Sequence, residues 1–405
     1  MTGKWLIPYP EERALEDAAY ARGDRPTRIY HLLLPVWRVE IRATVTEAEP
    51  YDLIDYYLER GIRDCALDTP AELADFFSLD EVLVDRALRV LARIGHVRDD
   101  GGGRVALTEI GMRSVRDRWR YTVETRDRRE LYFDGLGSQP LPRAYYEPST
   151  VTLLAGEDLT DVVNRRTGGP AFRPVVSQRM FRDEALAELA ARRDRDRFNL
   201  PARIDAPERV APPVPVYLPA YLVRTVAPDS RPRLLAYTQA GDTADEDLTR
   251  MYGGPDLAAL IENEESAARD GRDEARARDW LRGRGLDAVH PRRQPDGMLR
   301  VTLPASAFDG SDRVPLHKLG SFVVGGTDFF HVWCEDERVR RRALLYRIES
   351  YARPNIRRAD LDQRIARIGR QVGLGEVDFA ELRRMAARAG KRDLVSLLDD
   401  IGERS

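Results

Sequence analysis

Residues 69–115, TPAELADFFSLDEVLVDRALRVLARIGHVRDDGGGRVALTEIGMRSV, carry the strongest local pattern in the chain. Thr69 and Glu72 have the spacing of a capping box, and Pro70 occupies the first helical position, where its missing N–H costs nothing. These residues predict a short helix over 71–77. Ser78 is then predicted to cap a longer helix over 79–94. Its apolar residues recur at intervals of three and four and predict a buried face: Val82, Leu83, Ala87, Val90, Leu91 and Ile94.

A hairpin and a further helix are predicted after the longer helix. Residues 96–98 and 105–107 are strand-like runs, and the three glycines between them can turn in either hand. Thr108 then predicts the start of a helix over 109–115. Upstream, Pro50 predicts the start of a helix that ends at Gly61. Its apolar stripe is expected to face a core: Tyr51, Ile54, Tyr57 and Leu58.

This order of elements, over residues 51–115, resembles the winged helix-turn-helix of MarR- and ArsR-like regulators. The stretches LARIGHVRDD and RVALTEIG carry most of the resemblance, because there a helix end leads into the hairpin, or wing, and then into a final helix. The resemblance covers about one sixth of the chain. It implies that the longer helix could enter the major groove of DNA with the wing against the backbone. Winged helices also dock proteins, so the resemblance leaves the function open.

Composition excludes several classes of protein. The chain has 405 residues, 42% apolar and 33% charged, which is typical of a soluble globular protein with two or three domains. The formal charge of -3 excludes a globally basic nucleic-acid binder. Of the 65 basic residues only Lys4, Lys318 and Lys391 are lysines, as expected of a high-GC bacterial genome. An arginine cluster is therefore weak evidence of phosphate recognition in this chain.

We expect a cytoplasmic protein that does not enter a membrane. The two cysteines, Cys65 and Cys334, lie far apart in sequence and are too few to form a disulfide framework or a four-ligand zinc site. The first six residues lack the pattern of a signal peptide. No apolar run approaches the roughly 18–20 residues needed to span a bilayer.

The fold class predicted for the whole chain is α+β. A winged-helix domain over 25–148 would be followed by a mixed α/β domain over 150–355 and a small helical tail over 356–405. The first domain would also hold an alternating strand over 29–45 and a two-stranded ribbon, with strands at 119–124 and 130–134 around a turn at 125–129. Aromatic residues among the ribbon's arginines could stack single-stranded bases, or could simply pack inward.

Enzyme motifs are absent from the sequence. There is no G-x-x-x-x-G-K-[ST] phosphate loop, no G-x-S-x-G elbow and no H-E-x-x-H zinc motif. We expect no cofactor and no metal. A catalytic site assembled from distant residues of the mixed domain stays open. The arginines over 338–342, with Arg347, Arg353, Arg357 and Arg358, could contact phosphate or form a solvated helix face.

The leading hypothesis is a non-catalytic adaptor or regulator whose winged helix docks a partner protein, within a bacterial DNA-handling or phage-defence assembly. Residues 51–125 hold 15 acidic and 11 basic residues, so the predicted DNA-facing surface would repel phosphate. The alternatives are a DNA-binding transcription regulator and an enzyme with its site in the mixed domain. Oligomeric state is left open. The predicted contact surface for protein or DNA comprises Ser78, Asp80, Glu81, Arg86, Arg89, Arg104, Arg118 and Arg120.

Overall fold

The computed structural model describes residues 6–160, 171–177, 179–200, 203–254, 257, 261, 272–309 and 314–403. Helices account for 43% and strands for 24%, so the protein is α+β, as predicted. By contact density the chain divides into two units. The insert unit comprises Val36–Val151 and Gln178–Val216, and the terminal unit comprises Met1–Pro35, Thr152–Ser177 and Tyr217–Ser405.

The insert unit begins within a 25-residue strand, β1 (Arg25–Glu49). The elements that follow are α2 (Leu53–Cys65), α3 (Pro70–Phe77), α4 (Glu81–Arg93), β2 (Val97–Gly101), β3 (Arg104–Leu107), α5 (Glu109–Asp117), β4 (Arg120–Asp134), α6 (Glu184–Ala191) and β7 (Arg203–Arg209). Strands β2 and β3 form an antiparallel hairpin. The capping box is present, since the Thr69 hydroxyl accepts the N–H of Glu72 and the Glu72 carboxylate accepts the N–H of Asp68.

Two predicted helix boundaries are wrong. Gly61 does not end α2, which continues to Cys65; a Cβ at Gly61 would lie 2.9 Å from side-chain atoms of Leu73 and Phe77, so glycine allows the close approach of α3. Ser78 does not cap α4. It ends α3 with a left-handed φ of 54°, and Asp80 caps α4 instead by accepting the N–H of Val82 at 2.8 Å.

The predicted two-stranded ribbon is a single strand. β4 runs antiparallel to β1 from the pair Val36–Asp134 to the pair Glu49–Arg120. One extra β4 residue is absorbed by a bulge where the register shifts between Ala43 and Val45. The turn expected at 125–129 is replaced by this bulge, because β1 is long enough to pair with the whole segment. Strand β7 pairs with the other edge of β1 in the insert unit.

Two apolar cores stabilise the insert unit. The first packs the helices against the hairpin and comprises Leu58, Leu73, Ala74, Val84, Leu88, Leu91 and Val97. The second lies on the sheet and includes Val39, Ile41, Leu131, Phe133, Leu186, Leu189 and Phe198. Since α6 and Phe198 complete the second core, residues 178–216 group with the insert unit rather than with the sequence that follows them.

The terminal unit has two sheets. In it β1 pairs with β6 (Arg173–Pro174), β8 (Val214–Val226) pairs with β9 (Pro232–Thr238), and β5 (Leu154–Ala155) joins the same sheet. The second sheet has the order β10 (Arg292–Arg293), β11 (Leu299–Thr302), β13 (Asp328–Trp333), β12 (Phe322–Gly325). Its helices are α1 (Glu11–Glu16), α7 (Glu246–Tyr252), α8 (Arg272–Arg282), α9 (Glu337–Tyr351), α10 (Arg358–Gln371), α11 (Phe379–Arg388) and α12 (Arg392–Glu403).

The last three helices share a core with the second sheet. Val301 and Val332 of the sheet belong to one buried cluster with Ile365, Leu382 and Leu398. Residues 356–403 therefore pack as part of the terminal unit, whereas the sequence predicted a separate tail.

Candidate functional site

Five of the predicted contact residues lie on α4 or in the turn before it, namely Ser78, Asp80, Glu81, Arg86 and Arg89. Ser78, Asp80, Glu81 and Arg86 are all exposed there. The carboxylate of Asp80 is occupied by the N–H of Val82. Among the described residues Arg86 has no carboxylate partner. The first turn of α4 thus presents acidic groups, with one unpaired arginine a turn later.

The other predicted arginines differ in their surroundings. Arg89 is exposed and pairs with Asp85 along α4, and Arg104 lies 3.5 Å from Asp68. Arg118 is exposed at the left-handed end of α5, with a φ of 60°. Arg120 is half-buried between Glu49, with which it pairs, and Asp55 at 3.9 Å. Arg120 is therefore held within the fold by carboxylates rather than presented to a ligand.

Helix α4 carries two apolar rows, of which only one is buried. Val84, Leu88 and Leu91 are buried at intervals of four and three. Val82 is 75% exposed, and Leu83 and Val90 are 41% and 38% exposed. The prediction that these three residues face the core is wrong, because a buried face of this helix is already filled by the other row. The signal in the sequence is that α4 has more apolar positions than one face can hold.

Neighbouring helices also expose apolar side chains. Tyr57 of α2 is 44% exposed and its ring centroid lies 6.5 Å from that of Phe77. Phe77 in turn packs edge-on against Phe76, which is 56% exposed. Leu53 and Ile54, within one turn of Tyr57, are also exposed. The predicted inward stripe of α2 is therefore wrong at Ile54 and Tyr57, and Leu58 is its buried member.

A buried ion pair holds the helices of the insert unit together. Nδ1 of His96 lies 2.6 Å from a carboxylate oxygen of Glu59, and neither side chain is exposed. Nε2 of His96 lies 2.5 Å from the backbone carbonyl of Tyr121. Both ring nitrogens face acceptors, so both carry protons. Burial alone would lower the pKa of His96, but its bond to Glu59, the charge of that carboxylate and the Tyr121 carbonyl together raise it.

Tyr51 and Ser114 complete this network. The Tyr51 hydroxyl donates to Glu59 at 2.5 Å, and burial followed by the Glu59 contact raises the pKa of the phenol. Ser114, also buried, accepts the N–H of Tyr121 at 3.2 Å and lies 3.5 Å from Nε2 of His96.

A serine, a histidine and a glutamate are therefore close together, as in a hydrolase triad. However, Nε2 donates to a carbonyl and cannot take the proton of Ser114. The network links α2, the hairpin, α5 and β4.

Neither a metal centre nor a membrane span occurs in the part of the chain that the structure describes. No group of three or more His, Cys, Asp or Glu side chains there could hold a metal ion. Nor is any helix there long and apolar enough to cross a membrane. No protein-family model, curated protein or solved structure matches the chain.

Proposed function

We propose that the insert unit is a winged-helix module that docks a partner protein through the exposed apolar row of α4, and that the chain acts as a non-catalytic adaptor or regulator. The order α2, α3, α4, hairpin β2–β3, α5 supports this interpretation. In it, α4 takes the position of the recognition helix and β2–β3 that of the wing.

The exposed row of α4 is the observation that carries the proposal. A helix that enters the major groove contacts base edges and phosphates mainly with polar and basic side chains. Here the exposed side chains of the first turn include the apolar residues Val82 and Leu83. Fully burying a valine or leucine contributes about 1.5–3 kcal/mol each, which is the scale of an interface hot spot. A phosphate backbone offers nothing apolar to cover them, whereas a protein does.

Charge around α4 indicates the chemistry of the partner. Asp80 and Glu81 are exposed at its start, and Asp99 and Asp100 are exposed at the tip of the hairpin. Acidic groups around an apolar centre favour a partner with the complementary arrangement, because complementary potentials speed association and exclude wrong partners. The partner we expect is a protein surface with apolar side chains bordered by arginine or lysine.

The first test separates DNA from protein. Fluorescence anisotropy of the full chain is measured with random duplex and single-stranded DNA at about 50 and 200 mM salt, the range over which phosphate contacts show their salt dependence. We expect no binding at either salt concentration. Tight binding that falls with salt and is lost in Arg86→Glu would overturn protein docking by α4.

The second test uses a partner captured on the tagged chain and then purified. Its affinity for the wild-type chain, Val82→Asp and Met112→Asp is measured by calorimetry. Met112 is an exposed apolar residue of α5 and serves as the matched control. We expect Val82→Asp to weaken binding at least tenfold and Met112→Asp to leave it unchanged. Equal affinity for all three chains would refute docking through α4.

A further inference from the structure

The terminal unit contains a cleft that is rich in arginine. It has a volume of about 330 Å³ and lies between α1, α9, α10 and the turn at His317. Its arginines are Arg13, Arg347, Arg364 and Arg367. Arg13 pairs with Asp242 at 2.8 Å. Among the described residues the other three form no ion pair, so the cleft holds guanidinium charge that the fold itself does not neutralise.

Arg347 is fixed by the backbone without losing its charge. One terminal nitrogen donates to the carbonyls of His317 and Leu319, the latter at 2.5 Å. Its Nε is buried and has no hydrogen-bond partner among the described residues. Burial lowers the pKa of this guanidinium, and the charge of Glu16 opposes the shift without cancelling it.

Arg364 is a second cation of the cleft and is half-buried. Its guanidinium lies over the ring of Tyr351, 4.6 Å from the centroid, and its Nε is likewise buried without a partner in the described part of the chain. Burial, and then the positive charge of Arg13, lower its pKa. A stacked arginine is held in place but keeps its in-plane donors for another group.

Gln371 adds a third unsatisfied donor. Its side chain is 3% exposed, it lines the same cleft, and its Nε2 has no partner among the described residues. Buried polar groups are nearly always hydrogen-bonded, so three residues that line one cleft and each carry a donor with no partner in the described part of the chain favour a ligand that accepts hydrogen bonds. Glu16 is the one carboxylate that lines the cleft, and it accepts the hydroxyl of Ser321 at 2.6 Å. Its single negative charge leaves the cleft with a positive excess.

We propose that this cleft binds the phosphate group of a small phosphorylated molecule. A phosphate supplies several acceptor oxygens and up to two negative charges, and planar guanidinium groups bind it bidentately. The ring of Tyr346, 45% exposed at the cleft, can cover the organic part of the ligand. A volume near the lower end of the range for ligand pockets suits a molecule of about the size of a nucleoside monophosphate.

Calorimetry on the full chain tests the proposal with three probes: inorganic phosphate, adenosine monophosphate and adenosine. We expect the two phosphates to bind and adenosine not to bind. If the ester binds at least tenfold more tightly than inorganic phosphate, the ligand is a phosphorylated molecule. Equal binding of both identifies the site as one for free phosphate, which contradicts the organic part of the proposal. No binding of either phosphate overturns it altogether.

Variants separate a binding role from a structural one. Arg364→Met keeps the aliphatic stem and removes the charge, and we expect it to weaken phosphate binding at least tenfold. We also expect it to raise Tm in the absence of phosphate, because it removes a half-buried charge that has no carboxylate partner among the described residues. It should also abolish the rise of Tm that phosphate gives the wild-type chain. Unchanged binding would overturn the proposal.

Two further variants keep this test decisive. Arg367→Gln changes a half-buried residue of the same cleft and carries the test if Arg364→Met does not fold. We expect it to weaken phosphate binding too. The control is Arg341→Gln, an exposed arginine of α9 that pairs with Glu337 at 2.5 Å outside the cleft. If phosphate binding falls equally in the control, the loss of binding follows from the change in net charge, and a defined site is refuted.

Discussion

The carboxylate of Glu59 and the imidazole of His96 lie 2.6 Å apart, with neither side chain exposed to solvent. The pair joins the middle of α2 to the residue that precedes the hairpin. Replacing a whole buried ion pair by apolar residues is often neutral for stability, but removing one partner leaves a buried charge uncompensated. The pair therefore makes the insert unit sensitive to substitution at either residue.

Glu59→Gln should destabilise the protein by about 1.5–3 kcal/mol near pH 7, because the charged hydrogen bond is lost and burial then lowers the pKa of His96 so that the imidazole gives up its proton. The free energy of unfolding from urea denaturation measures this. Arg60→Gln on the same helix breaks the exposed pair with Asp64 and should change little. Similar losses in the two variants would contradict the assigned role of the buried pair.

His96 should also make stability fall as the pH rises. Its pKa is raised in the folded protein, so above the unfolded value near 6.5 the folded state binds more protons than the unfolded state. The contribution is full below pH 6.5 and is lost as the pH rises through the folded pKa. Unfolding free energies at pH 6 and 8.5 should differ more in the wild-type chain than in His96→Gln. An identical difference in both chains would rule the effect out.

His331 of the terminal unit should act in the opposite direction. It accepts a hydrogen bond from Nε of Arg300 at 3.2 Å, and burial together with the charge of Arg300 lowers its pKa to about 3. The unfolded chain binds the extra proton below pH 6.5, so stability is lost as the pH falls from there toward 3. The limiting slope is about 1.4 kcal/mol per pH unit. His331→Gln should have a shallower slope between pH 6.5 and 5 in urea denaturation; an unchanged slope would contradict this.

The two apolar rows of α4 should respond differently to truncation. Leu88→Ala should cost about 2–5 kcal/mol, because Leu88 is buried and the change leaves a cavity. Leu83→Ala should cost much less, since Leu83 is 41% exposed and contacts solvent already. Thermal and urea denaturation of both variants check this. A large loss for Leu83→Ala would show that its row is packed in the free protein, which would also weaken the docking proposal.

Two substitutions in the turn between α3 and α4 should change the stability of the protein in opposite directions. Ser78 has a φ of 54°, a conformation that glycine adopts without strain, so Ser78→Gly should stabilise the protein by about 0.5–1 kcal/mol. Asp80→Ala removes the helix cap and should cost about 0.5–2 kcal/mol. If Ser78 were the cap of α4, Ser78→Gly would not raise Tm.

Local patterns predicted the elements of the insert unit well, because their causes are local. The capping box at Thr69, the glycine-rich hairpin and the helix after Thr108 all have their determinants within a few residues. The features that the sequence did not predict depend on residues that are distant in sequence. Glu59 is buried against His96, which lies 37 positions away in sequence. Strand β4 is continuous because β1 pairs with it along its whole length.

The arginine-rich cleft could not be predicted from the sequence. Arginine is so frequent in this chain that neither Arg347 nor Arg364 stands out. Only the packing of α1 against α9 and α10 shows that neither forms an ion pair with a carboxylate among the described residues. The sequence indicates phosphate contact as one possibility for Arg347, but it gives no such indication for Arg364, Arg367 or Gln371. The predictions of the buried faces of α2 and α4 were wrong for a related reason. When a helix carries two apolar rows, the sequence does not indicate which row is buried.

The division of the chain into an inserted and a terminal unit constrains folding during synthesis. All segments of the insert unit have been made once residue 216 is complete, so it can fold while the ribosome is still adding α9 to α12. Leu15 of α1 packs in one core with Tyr221, about 200 residues later. At typical rates of translation α1 waits about 10–40 s for this contact. Throughout that interval its apolar face is open to chaperones, and nascent chains stalled before residue 217 should bind them through this N-terminal segment.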